Sequence, residues 1–243
     1  MKLIKLNAIN STNTFLKELS KNTTLEDFTV VVTENQTNGR GQQESLWYSE
    51  PSKNLTFSVY LSNLKLEISF KKHLNYAVSL AIFEALKHNN IPNLAIKWPN
   101  DIVSGNKKVC GILIENSIQK NYIQNSIIGI GINVNQEVFS ETIKNVTSLK
   151  NLLHKDFDLE SLLDEICVEL KNQLQLLSEE KYQLLEDNYL NALYQIHKPM
   201  MFKDAENVLF LGIIRGISET GNIIIELENE NLKEFGIKEI SFA

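Results

Sequence analysis

Three short segments of the sequence hold the residues that could do chemistry. The first runs from Gln36 to Gln42, reads QTNGRGQ and follows an apolar, β-branched stretch. Glycines on both sides of Arg40 let the backbone approach a ligand closely, and the guanidinium offers N–H donors to a carboxylate, a phosphate or a urea oxygen. A mobile surface loop with a solvated arginine is the alternative. Ligand contact is favoured because Arg40 is one of only two arginines in the chain and Trp47 lies at the far end of the same polar segment.

The second segment is KWPND, from Lys97 to Asp101. Lys97 ends a short apolar strand, where an inward-pointing charge needs a partner. Pro99 requires an extended residue before it and fixes a turn after it. A rigid turn that presents an ammonium group suits the binding of an anionic reactant. A strand-end lysine and a turn, with Trp98 in the core, would leave the same pattern.

The third segment, GIGINVN, begins at Gly129. Glycines at alternate positions of a strand lie on one face, so Gly129 and Gly131 would leave a channel in which a backbone or a ligand can lie. Asn133 falls on the same face and could bind a polar edge such as that of adenine. A bulge or close strand packing would explain the glycines equally well.

The periodicity of the apolar residues predicts the elements that position these segments. Strands are predicted at residues 2–6, 28–33, 54–61, 94–98, 101–104, 107–116 and 122–134, and helices at 12–20, at 69–89 and within 147–194. Ser11 is the expected N-cap of the first helix, and the polar residues 34–45 are expected to form a loop. Because several strands follow one another directly, we expect an antiparallel or mixed sheet with helices on one face.

The last part of the chain has a different pattern. Short strands are predicted at 200–203, 208–217, 223–227 and 232–240, which suggests a small closed β-barrel. We therefore predict two domains, 1–195 and 196–243.

Composition excludes several classes of protein. The chain has 243 residues, of which 43% are hydrophobic, and a net charge of −6, which disfavours nucleic-acid binding through a dominant basic surface. No apolar run reaches the length of a membrane span, and the N-terminus does not read as a signal peptide. Two cysteines are too few for a disulfide framework, so we expect reduced thiols in a cytoplasmic protein.

The motifs together resemble those of the biotin–protein ligases (biotin–acetyl-CoA-carboxylase ligases). The resemblance covers essentially the whole chain and is carried by Ser11-Thr12-Asn13, Gln36 with Gly39-Arg40-Gly41, Trp47, Lys97-Trp98-Pro99-Asn100-Asp101, Lys108-Val109-Cys110-Gly111-Ile112-Leu113 and Gly129-Ile130-Gly131-Ile132-Asn133. It implies an α+β fold, in which a mixed, class II synthetase-like sheet with helices precedes an SH3-like barrel. It also implies that biotin and ATP form biotinyl-5′-AMP and that biotin passes to a lysine of a biotin carboxyl carrier protein.

The resemblance assigns a role to each matching residue. Contact with biotin is expected for Ser11, Thr12, Asn13, Gln36, Gly39, Arg40, Gly41, Gln42, Trp47, Lys97, Gly129 and Gly131, and contact with the nucleotide for Arg40, Lys97, Asn100 and Asn133. Lys97 and Arg40 are the expected catalytic residues, with Lys97 bridging the biotin carboxylate and the α-phosphate. Trp47 and Trp98 are the expected apolar walls. Mg²⁺ is expected with ATP, and its ligands stay unassigned.

The chain also departs from the family pattern. Many members continue the glycine loop as Gly-Arg-Gly-Arg, whereas Gln42 follows Gly41 here and Gln43 and Glu44 come next. The resemblance further implies that the DNA-binding winged helix of bifunctional members is absent. It leaves open whether the protein is a monomer or a homodimer. The alternatives are a lipoate or octanoate ligase or transferase of the same fold, and a biotin-binding module without catalytic activity.

Overall fold

The computed structural model describes residues 2–42 and 45–243, which form two main β-sheets and five α-helices. Gln43 and Glu44 lie outside the described residues. The strands are β1 Lys2–Ile9, β2 Thr29–Gln36, β3 Gly39–Arg40, β4 Leu46–Trp47, β5 Leu55–Leu61, β6 Leu66–Glu67, β7 Leu94–Lys97, β8 Asp101–Ser104, β9 Lys107–Gln119, β10 Tyr122–Ile132, β11 Pro199–Asp204, β12 Leu209–Ile217, β13 Ile223–Leu227, β14 Leu232–Phe235 and β15 Ile240–Phe242. The helices are α1 Thr12–Asn22, α2 Lys71–His88, α3 Leu149–Leu153, α4 Leu159–Ser178 and α5 Tyr182–Asn191.

The large sheet has the strand order β1-β2-β5-β10-β9-β8-β7, and the short β6 pairs with β10. The pair β1–β2 is parallel, and the other pairs are antiparallel. The predicted mixed sheet is therefore confirmed. The predicted loop at 34–45 is wrong in part, because β2 continues to Gln36 and the short strands β3 and β4 pair as a ribbon.

The two faces of the large sheet are covered by different helices. The main core packs α2, α4 and α5 on the face that carries Val30, Val59 and Ile128. The other face packs α1 through Leu16, against Val31 and neighbouring side chains. Helices on one face only were expected, and α1 contradicts that prediction. Because β1 and β2 are parallel neighbours, the chain between them must cross over a face of the sheet, and α1 is that crossover.

The start of α1 is fixed by its cap. Ser11 has an extended backbone, and its Oγ accepts a hydrogen bond from the Thr14 N–H at 3.4 Å, as an N-cap serine does. The prediction of Ser11 as N-cap is confirmed. This cap brings the first residues of α1, Thr12 and Asn13, onto the sheet beside β5 and β10.

The second sheet is open, with the order β14-β13-β12-β11-β15. The closed barrel predicted from the sequence is therefore wrong. The reason is a turn at Gly236, whose N–H donates to the Glu239 carboxylate at 2.7 Å and splits the predicted strand 232–240 in two. The first half stays with β13, and the second pairs with β11.

The interiors of the two sheets form one continuous core, since Phe202 and Ile225 of the second sheet belong to the same buried cluster as the large sheet. The Trp98 indole N–H also donates to the Gly221 carbonyl at 3.0 Å. The division into domains at residue 195 stays a prediction. Within the described ranges, no helix has both the length and the apolar character needed to cross a membrane. Cys110 and Cys167 are free, and burial raises the pKa of both thiols.

Candidate active site

A cavity opens on the α1 face of the large sheet. It is lined by eleven of the predicted site residues, namely Ser11, Thr12, Asn13, Gln36, Arg40, Gly41, Gln42, Trp47, Asn100, Gly129 and Gly131. Segments up to 120 residues apart in sequence, from Ser11 to Gly131, thus meet at one place. The predicted residues Gly39, Lys97 and Asn133 are described but do not line the cavity.

The floor of the cavity is made of glycines. Gly129 and Gly131 of β10 lie on one face, as their alternation predicts, and Gly111 of β9 pairs with Gly131. A Cβ atom on Gly129 would collide with the Asn13 amide, and one on Gly111 would lie 3.0 Å from the Lys108 Nζ. Because these positions have no side chain, Asn13 of α1 and Lys108 of β9 can pack directly against the backbone of the sheet.

One end of the cavity is a network of neutral polar groups. The Gln36 Oε1 accepts hydrogen bonds from the Thr12 N–H at 2.9 Å and from the Thr12 hydroxyl at 3.3 Å. The hydroxyl of Ser58, on β5, donates to the Asn13 Oδ1 at 2.6 Å and lies 2.7 Å from the Thr12 Oγ1. Ser58 was missed by the sequence interpretation, although a serine inside the apolar strand NLTFSVYL was a signal for it. Such hydroxyls and amides complement the donors and acceptor of a urea.

A carboxylate that the sequence interpretation also missed, Glu115 of β9, borders this end. Its Oε2 accepts a hydrogen bond from Asn13 Nδ2 at 2.8 Å and pairs with Arg40 Nη2 at 2.9 Å. Its Oε1 lies 3.7 Å from the Lys17 ammonium. The period of two along β9 puts Glu115 on the same face as Gly111, so the signal was present in the sequence.

The predicted glycine loop forms the β3–β4 ribbon over the cavity. Gly39 pairs with Trp47, and the Gly41 N–H donates to the Ser45 carbonyl at 2.7 Å. A Cβ atom on Gly39 would lie 2.6 Å from Gln36 Nε2, so the ribbon can pack against Gln36 only because position 39 has no side chain. Among the described residues, the buried Gln42 Oε1 and Trp47 Nε1 have no hydrogen-bond partner. Both residues line the cavity.

The other end of the cavity is cationic, and its lysine is Lys108. The Lys108 Nζ lies 2.6 Å from the Asp101 Oδ1 and 5.7 Å from the centre of the Trp47 ring. A β-bulge places this side chain: Ile102 pairs with Cys110 and Val103 with Lys108, so Val109 has no partner across the strands. Without the bulge, strict alternation would put Lys108 on the opposite face from Gly111.

Lys97 lies outside the cavity, at the edge of the sheet. Lys97 pairs with Asp101, Asp101 with Gly111, and Gly111 with Gly131. Lys97 is therefore the last of four paired residues on neighbouring strands, two of which are glycines of the cavity floor. Its ammonium lies 4.5 Å from the centre of the Phe242 ring, and burial lowers its pKa while Asp101 opposes that shift. A residue of the C-terminal sheet therefore contacts the lysine to which the family resemblance assigned the bridging of the two anions.

The remaining predicted residues have structural contacts. Asn100 Nδ2 donates to the Ile112 carbonyl at 2.7 Å and so fixes the turn beside the cavity. Asn133 is buried, and its backbone connects Val109 to Leu149. Trp98 is buried away from the lining. Ile237 and Lys238 of the C-terminal segment add a wall that the sequence interpretation did not predict.

A glycine-floored groove on a mixed sheet, complementary to a urea at one end and to an anion at the other, defines an enzyme of the acyl-ligase type. The model of the Biotin/lipoate A/B protein ligase family matches residues 6–133, and the chain belongs to this family.

Similar proteins agree with that assignment. The biotin protein ligase of Aquifex aeolicus in complex with biotin and ATP is 29% identical, with a TM-score of 0.82 over 100% of this chain and 98% of that one. The bifunctional ligase/repressor BirA of Bacillus subtilis is 28% identical over 240 residues, which cover 96% of this chain and 71% of that protein. BirA of Bacillus spizizenii is 32% identical over 171 residues, 68% of this chain and 51% of that protein.

Proposed function

We propose that the protein is an ATP-dependent biotin–protein ligase. In the first step, a biotin carboxylate oxygen attacks the α-phosphorus of ATP, the bond from that phosphorus to the bridging oxygen breaks, and pyrophosphate leaves. In the second step, a carrier lysine amine attacks the acyl carbon, the bond to the phosphate oxygen breaks, AMP leaves and the amine loses a proton. The observation that carries this proposal is one groove with a urea-complementary end and a cationic end.

The polar end orients biotin. A urea has one strong acceptor and two N–H donors. The side chains of Thr12, Asn13 and Gln36 line the cavity and offer both kinds of partner, and the buried Ser58 connects Thr12 with Asn13 from behind. A biotin ureido ring bound there directs its acyl chain along the glycine floor. The carboxylate then arrives at the Lys108 end. From Gly129 to Gly131 the strand advances roughly 7 Å.

The cationic end offsets the repulsion between the biotin carboxylate and the α-phosphate. We assign this work to Lys108 because its ammonium lies in the cavity, with Gly111 beneath it. The pairing with Asp101 holds the ammonium in place before the anions arrive. Lys97, on the far side of Asp101, adds a second positive charge at the edge of the sheet. This is electrostatic catalysis, in which preorganised charges meet charge that develops on the phosphoryl group.

Mg²⁺ is part of this proposal as a companion of ATP. Residues 2–42 and 45–243 contain no cluster of three or more His, Cys, Asp or Glu side chains that could hold a metal ion by themselves. Asp101 is a carboxylate on the cavity lining, and one such ligand fits a Mg²⁺ ion that is held mainly by phosphates. When bound, the ion would neutralise charge on the transferring phosphoryl group.

The test is to incubate the protein with ATP, Mg²⁺, labelled biotin and a biotin carboxyl carrier domain, and to follow the label on the carrier lysine. Label on the lysine and biotin-dependent pyrophosphate release are the expected results. Lipoate and octanoate are run in parallel, and preference for either would favour the lipoyl side of the family. Biotin binding without pyrophosphate release would identify a binding module instead.

A further inference from the structure

The Glu115 carboxylate joins the two parts of the site that would contact biotin. It accepts a hydrogen bond from Asn13, at the start of α1, and pairs with Arg40, in the β3–β4 ribbon. Through Asn13 it continues to Ser58, Thr12 and Gln36. A chain of hydrogen bonds therefore runs from the ribbon arginine to the polar end of the cavity, and Glu115 is the link between them.

We propose that Glu115 is a positioning residue for biotin: it orients the Asn13 amide toward the ureido ring and holds Arg40 at the rim of the cavity. This inference rests on the proposed function. Glu115 itself does not line the cavity, so it acts through these two side chains rather than on the substrate.

The orientation of Asn13 follows from which groups can donate. A carboxylate only accepts hydrogen bonds, so Glu115 must face the Asn13 amide nitrogen, which also lies 3.4 Å from the Leu113 carbonyl oxygen. The Asn13 oxygen consequently turns toward Ser58 and the Gly129 backbone. There its second lone pair can accept a ureido N–H. A glutamine at position 115 could present its own amide hydrogens and would no longer favour this orientation.

Glu115, on β9 of the large sheet, forms an ion pair with Arg40 of the β3–β4 ribbon. The Arg40 side chain is 41% exposed and that of Glu115 is 24% exposed, so the pair lies at the cavity rim. It connects the ribbon to the sheet next to the polar end. Loss of the Glu115 charge should therefore loosen the ribbon and also relax the orientation of Asn13.

The experiment compares Glu115→Gln with a matched variant elsewhere in the chain. Arg215 and Glu226 form a similar pair in the second sheet, with the Arg215 Nε 2.8 Å from Glu226 Oε2. Neither residue lines the cavity, so Glu226→Gln removes the same charge outside the site. Glu115→Gln should raise the Kd and the KM for biotin about tenfold, the size expected for one charge-assisted hydrogen bond, and raise the KM for ATP by a smaller factor, because ATP feels the change through Arg40 alone. Glu226→Gln should leave both KM values unchanged.

Two further measurements separate positioning from folding. Glu115→Asp keeps the charge and should recover part of the biotin affinity that Glu115→Gln loses. In an Asn13→Ala background, Glu115→Gln should cost less than it does alone, because the amide it orients is gone. Equal losses for biotin and ATP, with equal losses in the Asp and Gln variants, would mean a structural role and would overturn the inference.

The inference and the proposed function can fail separately. Unchanged biotin affinity in Glu115→Gln, in a wild-type protein that carries out biotin-dependent pyrophosphate exchange, overturns the role of Glu115 alone. A wild-type protein without that exchange contradicts the proposed function, and direct biotin binding by calorimetry still measures what Glu115 contributes.

Discussion

The indole of Trp47 lies directly on the backbone of Gly131. A Cβ atom at position 131 would come within 2.6 Å of Trp47 Cζ2 and 2.8 Å of its Nε1. Gly131, in the GIGINVN segment, therefore leaves the space in which the side chain of Trp47, at the far end of the polar segment, packs. The cavity has a volume of about 240 Å³, below the roughly 300–1,000 Å³ typical of ligand pockets. We attribute the difference to this indole, which fills part of the groove.

Replacement of Gly131 by alanine should displace the Trp47 side chain from the Gly131 backbone. The added methyl group cannot fit beneath the indole, so the β3–β4 ribbon must shift, and we expect stability to fall by about 1–3 kcal/mol. The KM for biotin should rise about tenfold with it. Tryptophan emission in a Trp98→Phe background, where Trp47 is the remaining indole, reports the movement directly.

The matched control is Gly216→Ala. No atom of the described residues lies within 4 Å of a Cβ at Gly216, so this variant should match the parent protein in stability, emission and biotin KM. If Gly131→Ala also matches the parent, Trp47 does not depend on the glycine.

Lys108→Ala should slow adenylate formation more than Lys97→Ala does. Removal of a preorganised charge beside a developing anion costs on the order of 10²–10³ in rate, and it is the Lys108 ammonium that lies in the cavity. Lys107→Ala, on the exposed neighbouring residue, is the control. Biotin-dependent exchange of pyrophosphate into ATP measures all three variants. A larger loss in Lys97→Ala would give the bridging role to Lys97, as the resemblance to the biotin–protein ligases implies.

The contrast between Gly131 and Lys108 shows what sequence periodicity can and cannot predict. Alternation along a strand is a local property, so the shared face of Gly129 and Gly131 followed from the sequence. The side on which Lys108 lies depends on the bulge at Val109, which arises from how β8 and β9 pair. Pairing of this kind is tertiary, and no pattern within one strand encodes it.

The wrong prediction of a closed C-terminal barrel has the same cause, because strand pairing is a tertiary property. The strand pattern predicted its β content, but the closure of a barrel depends on whether the first and last strands meet. Here the hydrogen bond from Gly236 to Glu239 ends β14 and sends β15 to β11. The contact of Phe242 with Lys97, and the wall that Ile237 adds to the cavity, follow from that arrangement.

Gln42→Arg should slow the release of the adenylate. Gln42 lines the cavity, and its buried Oε1 atom makes no hydrogen bond within residues 2–42 and 45–243. A guanidinium there would add a charge-assisted contact with the phosphate, for which we expect about tenfold slower dissociation. The rate is measured by displacing labelled biotinyl-5′-AMP with unlabelled compound. Gln42→Leu, which cannot donate, should not slow release. An unchanged rate in Gln42→Arg would mean that retention does not depend on this position.

Acid should destabilise the protein through His73, a buried residue of α2. Burial lowers the pKa of the imidazole below its ordinary value of 6.5, the nearby Lys72 lowers it further, and the weaker attraction of Glu186 opposes them. As the pH falls through 6.5, the unfolded chain therefore binds a proton that the folded chain does not, so the free energy of unfolding decreases.

His73→Phe removes this proton uptake and keeps an aromatic ring against Phe70 and Tyr182. Urea unfolding between about pH 7.5 and 5.5 should show a smaller decrease in the variant than in the wild type, by at most about 1.4 kcal/mol per pH unit. Because His73 lies on α2 and not on the cavity lining, biotin transfer at neutral pH should be unchanged. Parallel pH profiles for the two proteins would show that His73 does not set this dependence.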